Sequence, residues 1–498
     1  MTSKRVAVIG AGASGLTAIK CCLDEGLTPV CFERTSHIGG LWHYTDNPIE
    51  GQACVMKSTV INTSKEMMCY SDFPIPAHYP NFMHNSQVLE YFQQYSENFG
   101  LEKYINYETE VLHVKKADDF SQTGQWSISY RGTTSGADSV EETFDGVLVC
   151  TGHHAEKYVP EFPGLKDYQG KVYLSTRRGS WVLNRVGSNG IPIDLIFGRR
   201  PTLYLKSQFP FLSSKFSEFT VNRRFNHELY SLRPKHQIWS QHPMVNDDLP
   251  NRLITGSIKV KDDVKRFTQQ GVEFVDGTRE DNIDAVILAT GYSFGFPFLA
   301  KEVVGVKENR VELYKLMYPP DLEKHTLAVI GCIQPLGAVM PISEMQCRLA
   351  TRVIKGTTQL PPWGEIWSDV RLREAEMAQQ YVTSRRHTIQ VEYMGYMDEL
   401  AVLVGCKPDF AALFKQDPLF SLKVWFGPVY PYTYRLCGPG QNKDAKQMIL
   451  TTWERIKEPL QTRPMGDTLS SKPSQLKQSF VWFLVAFVVY KIFQLLSF

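Results

Sequence analysis

A short run near the start of the chain carries the residue types and spacing that hold a diphosphate. In KRVAVIGAGASGLTAIKCCLDEGLTPVCFER, residues 4–34, the glycines Gly10, Gly12 and Gly15 follow the apolar run 6–9 directly, with Ala13 and Ser14 among them. Gly10 permits a tight turn, Gly12 lets the backbone approach a pyrophosphate, and Gly15 lets a helix pack closely on the preceding strand. The pyrophosphate would rest on the unpaired amides of that helix's N-terminus. Residues 16–23 carry helical spacing, Gly26 stops the helix, and 29–32 reads as a second strand that ends at Glu33, 18 residues beyond Gly15. An acid at this place accepts from a ribose hydroxyl and repels a 2′-phosphate, which suits FAD or NAD and not NADP. A bare G-x-G-x-x-G is a weak signal. With strand, helix and acid in order it is strong.

A second set of groups lies in DYQGKVYLSTRRGSW, residues 167–181, where a strand over 172–175 leads to Arg177 and Arg178. Paired guanidinium groups suit a phosphate. Two further segments echo each other: 145–152 and 284–291 each have an Asp, an apolar run and a closing Thr-Gly. Such runs predict parallel strands covered on both faces, with Thr-Gly at the carboxyl end where doubly wound sheets bind ligands. Two closures imply two nucleotide domains, yet the chain has one phosphate loop. Gly438-Pro439-Gly440 follows no strand and opens no helix, so it reads as a turn. A βαβ unit takes about 30 residues, and none is available between Gly164 and Val172. The second domain is expected to lack its first strand, loop and helix.

These groups need a large body to position them. At 498 residues the chain is long enough for two or three domains or one composite body. A net charge of +2 gives no electrostatic footprint for nucleic acid. The ten cysteines include no C-x-x-C and no histidine partners at metal-ligand spacing, which fits a reduced compartment and predicts no metal site. Cys21 and Cys22 read as helix packing. No Ser-His-Asp or Cys-His constellation offers a protein nucleophile. The N-terminus has no signal-peptide layout, whereas FVWFLVAFVVYKIFQLLSF, 480–498, is almost wholly apolar and follows a polar linker. Nineteen residues at about 1.5 Å each approach the roughly 30 Å of a bilayer core, so the segment predicts membrane attachment. Lys491 would snorkel, and Lys472 and Lys477 would favour a cytosolic body.

Together these segments resemble the microsomal flavin-containing monooxygenases over nearly the whole length. The likeness rests on GAGASGL at 10–16, FERTSHIGGLW at 32–42, NTSKEMMCYSDFPIP at 62–76 and YPNFMHNSQVLEYF at 79–92. It continues through LSTRRGSWVLNRVG at 174–187, LATGYSF at 288–294 and IGCIQPLGAVMPISEMQ at 330–346. The resemblance implies an α/β flavoprotein with two dinucleotide-binding domains on doubly wound parallel sheets, using FAD and NADPH. It implies oxygenation of nitrogen or sulfur nucleophiles, or of ketones, through a flavin C4a-hydroperoxide. Asn62 is then the catalytic polar side chain beside the flavin, with Thr63 next to it. Gly40, Leu41 and Trp42 pass close to the FAD, and Gln334 contacts it from a helix opened by 331–340. Arg177 and Arg178 read the NADPH 2′-phosphate.

The chain departs from the family at one place. After Gly170 the family carries a second strand and phosphate loop, whereas this chain passes straight to the next strand. The implied layout is FAD domain at 1–165, remnant of the NADPH domain at 166–187, inserted subdomain at 188–250 and the rest of the NADPH domain at 251–295. The second part of the FAD domain and the C-terminal region follow at 296–465, then a linker at 466–479 and a membrane anchor at 480–498. The gap should expose apolar side chains such as Val286 and Leu288 and impair oxygenation. The implied partners are a small nucleophilic substrate and the endoplasmic reticulum membrane, with the body on the cytosolic side, and an oligomer is compatible with the resemblance. An uncoupled NAD(P)H oxidase and a non-catalytic, tethered FAD-binding protein stand as alternatives.

Overall fold

The computed structural model describes residues 3–48, 51–134, 136–161, 163, 174–175, 179–283 and 285–463. Its centre is the strand β1 (Arg5–Ile9), whose Val6, Ala7, Val8 and Ile9 are all buried. A strand apolar on both faces must be covered on both. On one side α1 (Ala13–Asp24) packs against the helix Met340–Lys355, with Cys21 and Cys22 in the contact layer as core residues. On the other lies an antiparallel sheet of β4 (Thr109–Lys116), β5 (Trp126–Gly132) and β6 (Ser139–Phe144). There Trp126, Ile128 and Phe144 meet Ala7, Ile9 and Phe32.

β1 pairs in parallel with β2 (Thr28–Phe32) and with β7 (Gly146–Val149), Val8 lying opposite Cys31 and Leu148. The sheet is completed by β3 (Ile105–Asn106) beside β2 and by Leu327–Val329 beside β7. α1 stops as expected at Gly26, which takes φ +72°, a left-handed turn that costs glycine little. The apolar run at 145–152 is thus the buried parallel strand predicted for it. Its neighbour arrives from residue 327, so everything between leaves the sheet and returns.

The second run, 284–291, departs from expectation. Residues 285–291 form no strand and alternate between half-buried and exposed. Ile287 is 74% exposed, while Val286 and Leu288 are half-buried. The physical reason is that, among the described residues, no strand pairs along 285–290, although Val286 packs against Phe267, Val272, Phe274 and Ile283 and the Tyr158 amide donates to Gly291 O at 2.9 Å. A central parallel strand needs ladder partners on both edges and cover on both faces. Around this segment the ladders shrink to two-residue pairs: Leu174–Ser175 with Val260–Lys261, and Tyr292–Ser293 with Glu156–Lys157. Gly438 and Gly440 lie in a turn, as read from the sequence.

A buried ionic network ties the α1 side together. Arg435, 3% exposed, donates to Ser71 Oγ at 2.6 Å and pairs with Glu344 at 2.6 Å and Asp72 at 3.0 Å. Lys20 reaches Asp72 at 2.5 Å and Asp24 at 2.6 Å. Arg435→Met leaves Glu344 and Asp72 under-compensated in a buried site, and removing one partner of such a pair costs about 3–5 kcal/mol. A urea unfolding series on the full-length chain should show the midpoint falling accordingly. An unchanged midpoint would remove the network from the account of stability.

Among the described residues no helix is long and apolar enough to cross a membrane. The anchor expected at 480–498 lies outside the described residues, as do Arg177 and Arg178.

Candidate active site

The glycine loop has the geometry its spacing predicts. A Cβ on Gly15 would lie 1.8 Å from the carbonyl oxygen of Gly10, so only hydrogen allows α1 to approach β1 this closely. Gly12 is the N-cap of α1 and carries no side-chain cap, which leaves the first-turn amides of Ala13 and Ser14 open to an anion. The second glycine segment folds over the first: a Cβ on Gly40 would sit 3.2 Å from Gly12 Cα, and Gly39 N–H donates to Ala11 O at 3.1 Å. Gly40–Trp42 is a single tight turn, with Leu41 half-buried and Trp42 packed against the main core. Ser14 Oγ lies 3.0 Å from Ser343 Oγ, tying the loop to Met340–Lys355.

Glu33 is buried and does more than the sequence implied. Its Oε2 accepts from the Ala11 amide at 2.7 Å, and its Oε1 accepts from the amide and hydroxyl of Thr35 at 2.8 Å each. It is therefore a tether for the phosphate loop. A carboxylate has about four acceptor sites, so one remains for a ribose hydroxyl. A cavity of about 700 Å³ opens just beyond β2, lined by Arg34, Thr35, His37, Glu108, Arg131 and Thr133 among others. A cradle that a Cβ would fill, an uncapped helix start and an adjoining cavity fit FAD.

Asn62 is exposed and Thr63 half-buried. The Asn62 amide is oriented by Arg185, whose Nη2 donates to Asn62 Oδ1 at 2.8 Å. A guanidinium only donates, so the amide oxygen must face it and Nδ2 is left as the donor. Arg185 also donates to Val60 O at 3.1 Å and Ile61 O at 3.0 Å, and pairs with Asp247 at 2.8 Å. Asp194 holds the next turn, its Oδ2 accepting from the Ser64 amide at 2.6 Å. Sequence reasoning missed Arg185, Asp194 and Asp247. The available signal was Arg185's place in the LSTRRGSWVLNRVG stretch.

Burial pushes the Asp194 carboxyl up to about 6, against the lowering effect of its bonds from Ser64. The folded value exceeds the ordinary one near 4, so the stabilisation is full below pH about 4 and is lost as pH rises through about 6. The flavin-loaded chain should therefore lose thermal stability over that window, and Asp194→Asn should flatten the slope. A wild-type slope that survives in the variant would assign it to another group.

The segment 331–340 corrects an expectation. It does not open a helix; the helix starts at Met340, with Pro341 in its first turn. Gln334–Pro335 instead pairs in parallel with Gln390–Val391, and Gly337 takes φ +148°. Pro335 cannot sit in a helix interior and Gly337 breaks one, so pairing wins. Gln334 Oε1 accepts from Gln390 Nε2 at 2.8 Å, and Gln390 Oε1 lies 2.6 Å from His242 Nε2. Burial holds His242 below the usual histidine range despite its bond to Gln390. Thr151 and Gly152 are exposed at the carboxyl end of β7.

A sequence model described as flavin-binding monooxygenase-like matches residues 3–173 and 169–496. Flavin-containing monooxygenase 5 of Rattus norvegicus is 51% identical over 506 residues, covering 93% of this chain and 94% of that protein. Dimethylaniline monooxygenase [N-oxide-forming] 2 of Mus musculus is 42% identical over 539 residues, covering 100% of both chains. Among solved structures, S-allyl-L-cysteine S-oxygenase from Allium sativum superposes with a TM-score of 0.59 at 23% identity, covering 92% of this chain and 99% of its own. An NADP-bound steroid monooxygenase gives 0.58 at 13% identity, covering 81% and 98%. These two similarities establish the two-domain α/β fold. With that fold, the glycine cradle and the match along most of its length, the chain belongs to the flavin-binding monooxygenase-like family.

Proposed function

We infer that the chain is an FAD- and NADPH-dependent monooxygenase of nitrogen or sulfur nucleophiles, or of ketones, and that this form is impaired at the NADPH step. The observation that carries the second half is the single complete phosphate loop, set against a 285–291 run that forms no strand and, among the described residues, has no strand paired along it. Two further observations support it. The family match breaks into two segments that meet at 169–173. The alignment with the mouse protein runs over 539 positions for the whole of a 498-residue chain, so about 41 fall opposite gaps. That total exceeds the roughly 30 residues of a βαβ unit.

Bound FAD supplies the oxygen chemistry. The chain's own part is to hold the diphosphate on the Gly12–Ser14 amides, to engage the ribose through Glu33, and to present the Nδ2 donor of Asn62 in an orientation fixed by Arg185. For NADPH, Arg177 and Arg178 remain as phosphate readers without the loop that would hold the pyrophosphate, so the residues present do not fit the whole cofactor. The apolar segment 480–498 attaches the body to the endoplasmic reticulum membrane, Lys472 and Lys477 keeping it on the cytosolic side. The exposed Thr151, Gly152 and Ile287 favour one second reading. A site left open to water would release peroxide in place of oxygenated product, as an NAD(P)H oxidase does.

The test is anaerobic mixing of the purified flavoprotein with NADPH while following oxidised-flavin absorbance. Flavin that stays unbleached supports the reading. Bleaching within a turnover time rejects the impairment, and protein without flavin rejects the assignment of the first domain.

A further inference from the structure

A second cavity, about 710 Å³, lies towards the opposite end of α1 from the phosphate loop. It is lined by the last turns of α1, the middle of Met340–Lys355 and the turn at 439–443. Lys20 stands eight positions along the helix from Gly12, which is about 12 Å at 1.5 Å per residue. The cavity is therefore separate from the flavin cradle.

Its lining is cationic. Lys20, Arg348, Arg352, Arg435 and Lys443 face it, against Asp24, Glu25 and Asp72. The acids are already shared. Asp72 serves both Lys20 and Arg435, and Glu25 serves both Arg352 and Lys355. Arg348 is 7% exposed, yet among the described residues it pairs with no carboxylate. It donates only to the carbonyls of Tyr434 at 3.2 Å and Pro439 at 2.8 Å. A guanidinium has five N–H donors, so three are left over. Arg352 Nε is buried without a partner in the same lining, and so is Asp72 Oδ1, an acceptor that lacks a donor. Lys443 stands exposed at the mouth.

We propose that this cavity binds a phosphate dianion, free or as a monoester, with Arg348 as the principal ligand and Lys443 at the entrance. A compact dianion matches an excess of two positive charges in the lining, and the planar guanidinium fork matches phosphate oxygens. The orphaned Asp72 Oδ1 accepts from a hydroxyl next to the phosphate, whether on the protonated phosphate itself or on an esterified polyol. Free phosphate and a small sugar or polyol phosphate share this chemistry. The inference goes beyond the monooxygenase reading and does not depend on it.

The full-length chain, kept in saturating FAD so that the flavin cradle is filled, is titrated with inorganic phosphate and with glycerol 3-phosphate. Sodium chloride at matched ionic strength is the reference, and thermal unfolding is the readout. A saturable rise of a few degrees beyond the chloride effect is expected. Tighter glycerol 3-phosphate binding assigns a phosphorylated metabolite, and equal binding assigns free phosphate; both uphold the site. Arg348→Gln should abolish the effect. Lys443→Gln, at an exposed position without a hydrogen bond or ion pair among the described residues, should weaken it about tenfold, the value of one charged hydrogen bond. If Arg348→Gln fails to fold, Lys443→Gln decides alone. No saturable shift, or one that is unchanged in Lys443→Gln, overturns the proposal.

Discussion

Gly15→Ala is expected to yield a chain that does not retain FAD. The added Cβ would meet Gly10 O at 1.8 Å and Gly10 C at 2.8 Å, both backbone atoms of the loop itself. No side chain can swing away, so α1 must retreat from β1 and carry the Gly12 N-cap with it. Overpacking a well-filled core costs typically about 1–3 kcal/mol and more where only backbone can move. At about 1.4 kcal/mol per factor of ten, FAD affinity should fall by about a hundredfold or more. Flavin absorbance per polypeptide after gel filtration reads this directly. Gly26→Ala is the control. It also places a Cβ at a positive φ, +72°, but into open space, so it costs only the roughly 1–2 kcal/mol of a left-handed residue. That variant should keep its flavin. A Gly15→Ala chain with full flavin content would show that the cradle is not where the cofactor sits.

The second large effect is a gain. Inserting after Gly170 a strand, G-x-G-x-x-G loop and helix of about 30 residues should speed anaerobic reduction by NADPH about a thousandfold or more. A pyrophosphate loop supplies several backbone amides, each worth about 1.5–3 kcal/mol when the acceptor is charged. Two such bonds already reach that factor. The insertion has a structural signature independent of turnover. A strand beside 285–291 would pair its amides and cover Ile287, now 74% exposed. Hydrogen exchange in that segment should slow sharply, while exchange in β1 stays unchanged. A glycine-serine insert of equal length should change neither. If the parent chain already reduces its flavin as fast as the grafted one, the NADPH site is complete by other means and the impairment is wrong.

The sequence by itself determined the glycine cradle, from β1 through α1 to Glu33. Those features are local. A strand and a helix announce themselves through period, and the roles of Gly10, Gly12 and Gly15 follow from sterics within one βαβ unit. The membership of the family was legible for the same reason, since each motif is a short contiguous string. Tertiary structure alone decided the rest. The runs 145–152 and 284–291 read alike, yet one is a buried strand and the other is not, because only the first has neighbours at β1 and Leu327–Val329. The span 331–340 looked like a helix start, but Gln390–Val391, far along the chain, claims Gln334–Pro335 as a strand. Arg185 fixes the Asn62 amide from 123 residues away, and among the described residues Arg348 pairs with no carboxylate, Asp72 and Glu25 being shared between other cations. No local period encodes such pairings. Whether an apolar run becomes a strand, or a charge goes uncompensated, depends on which distant groups the fold brings within bonding distance.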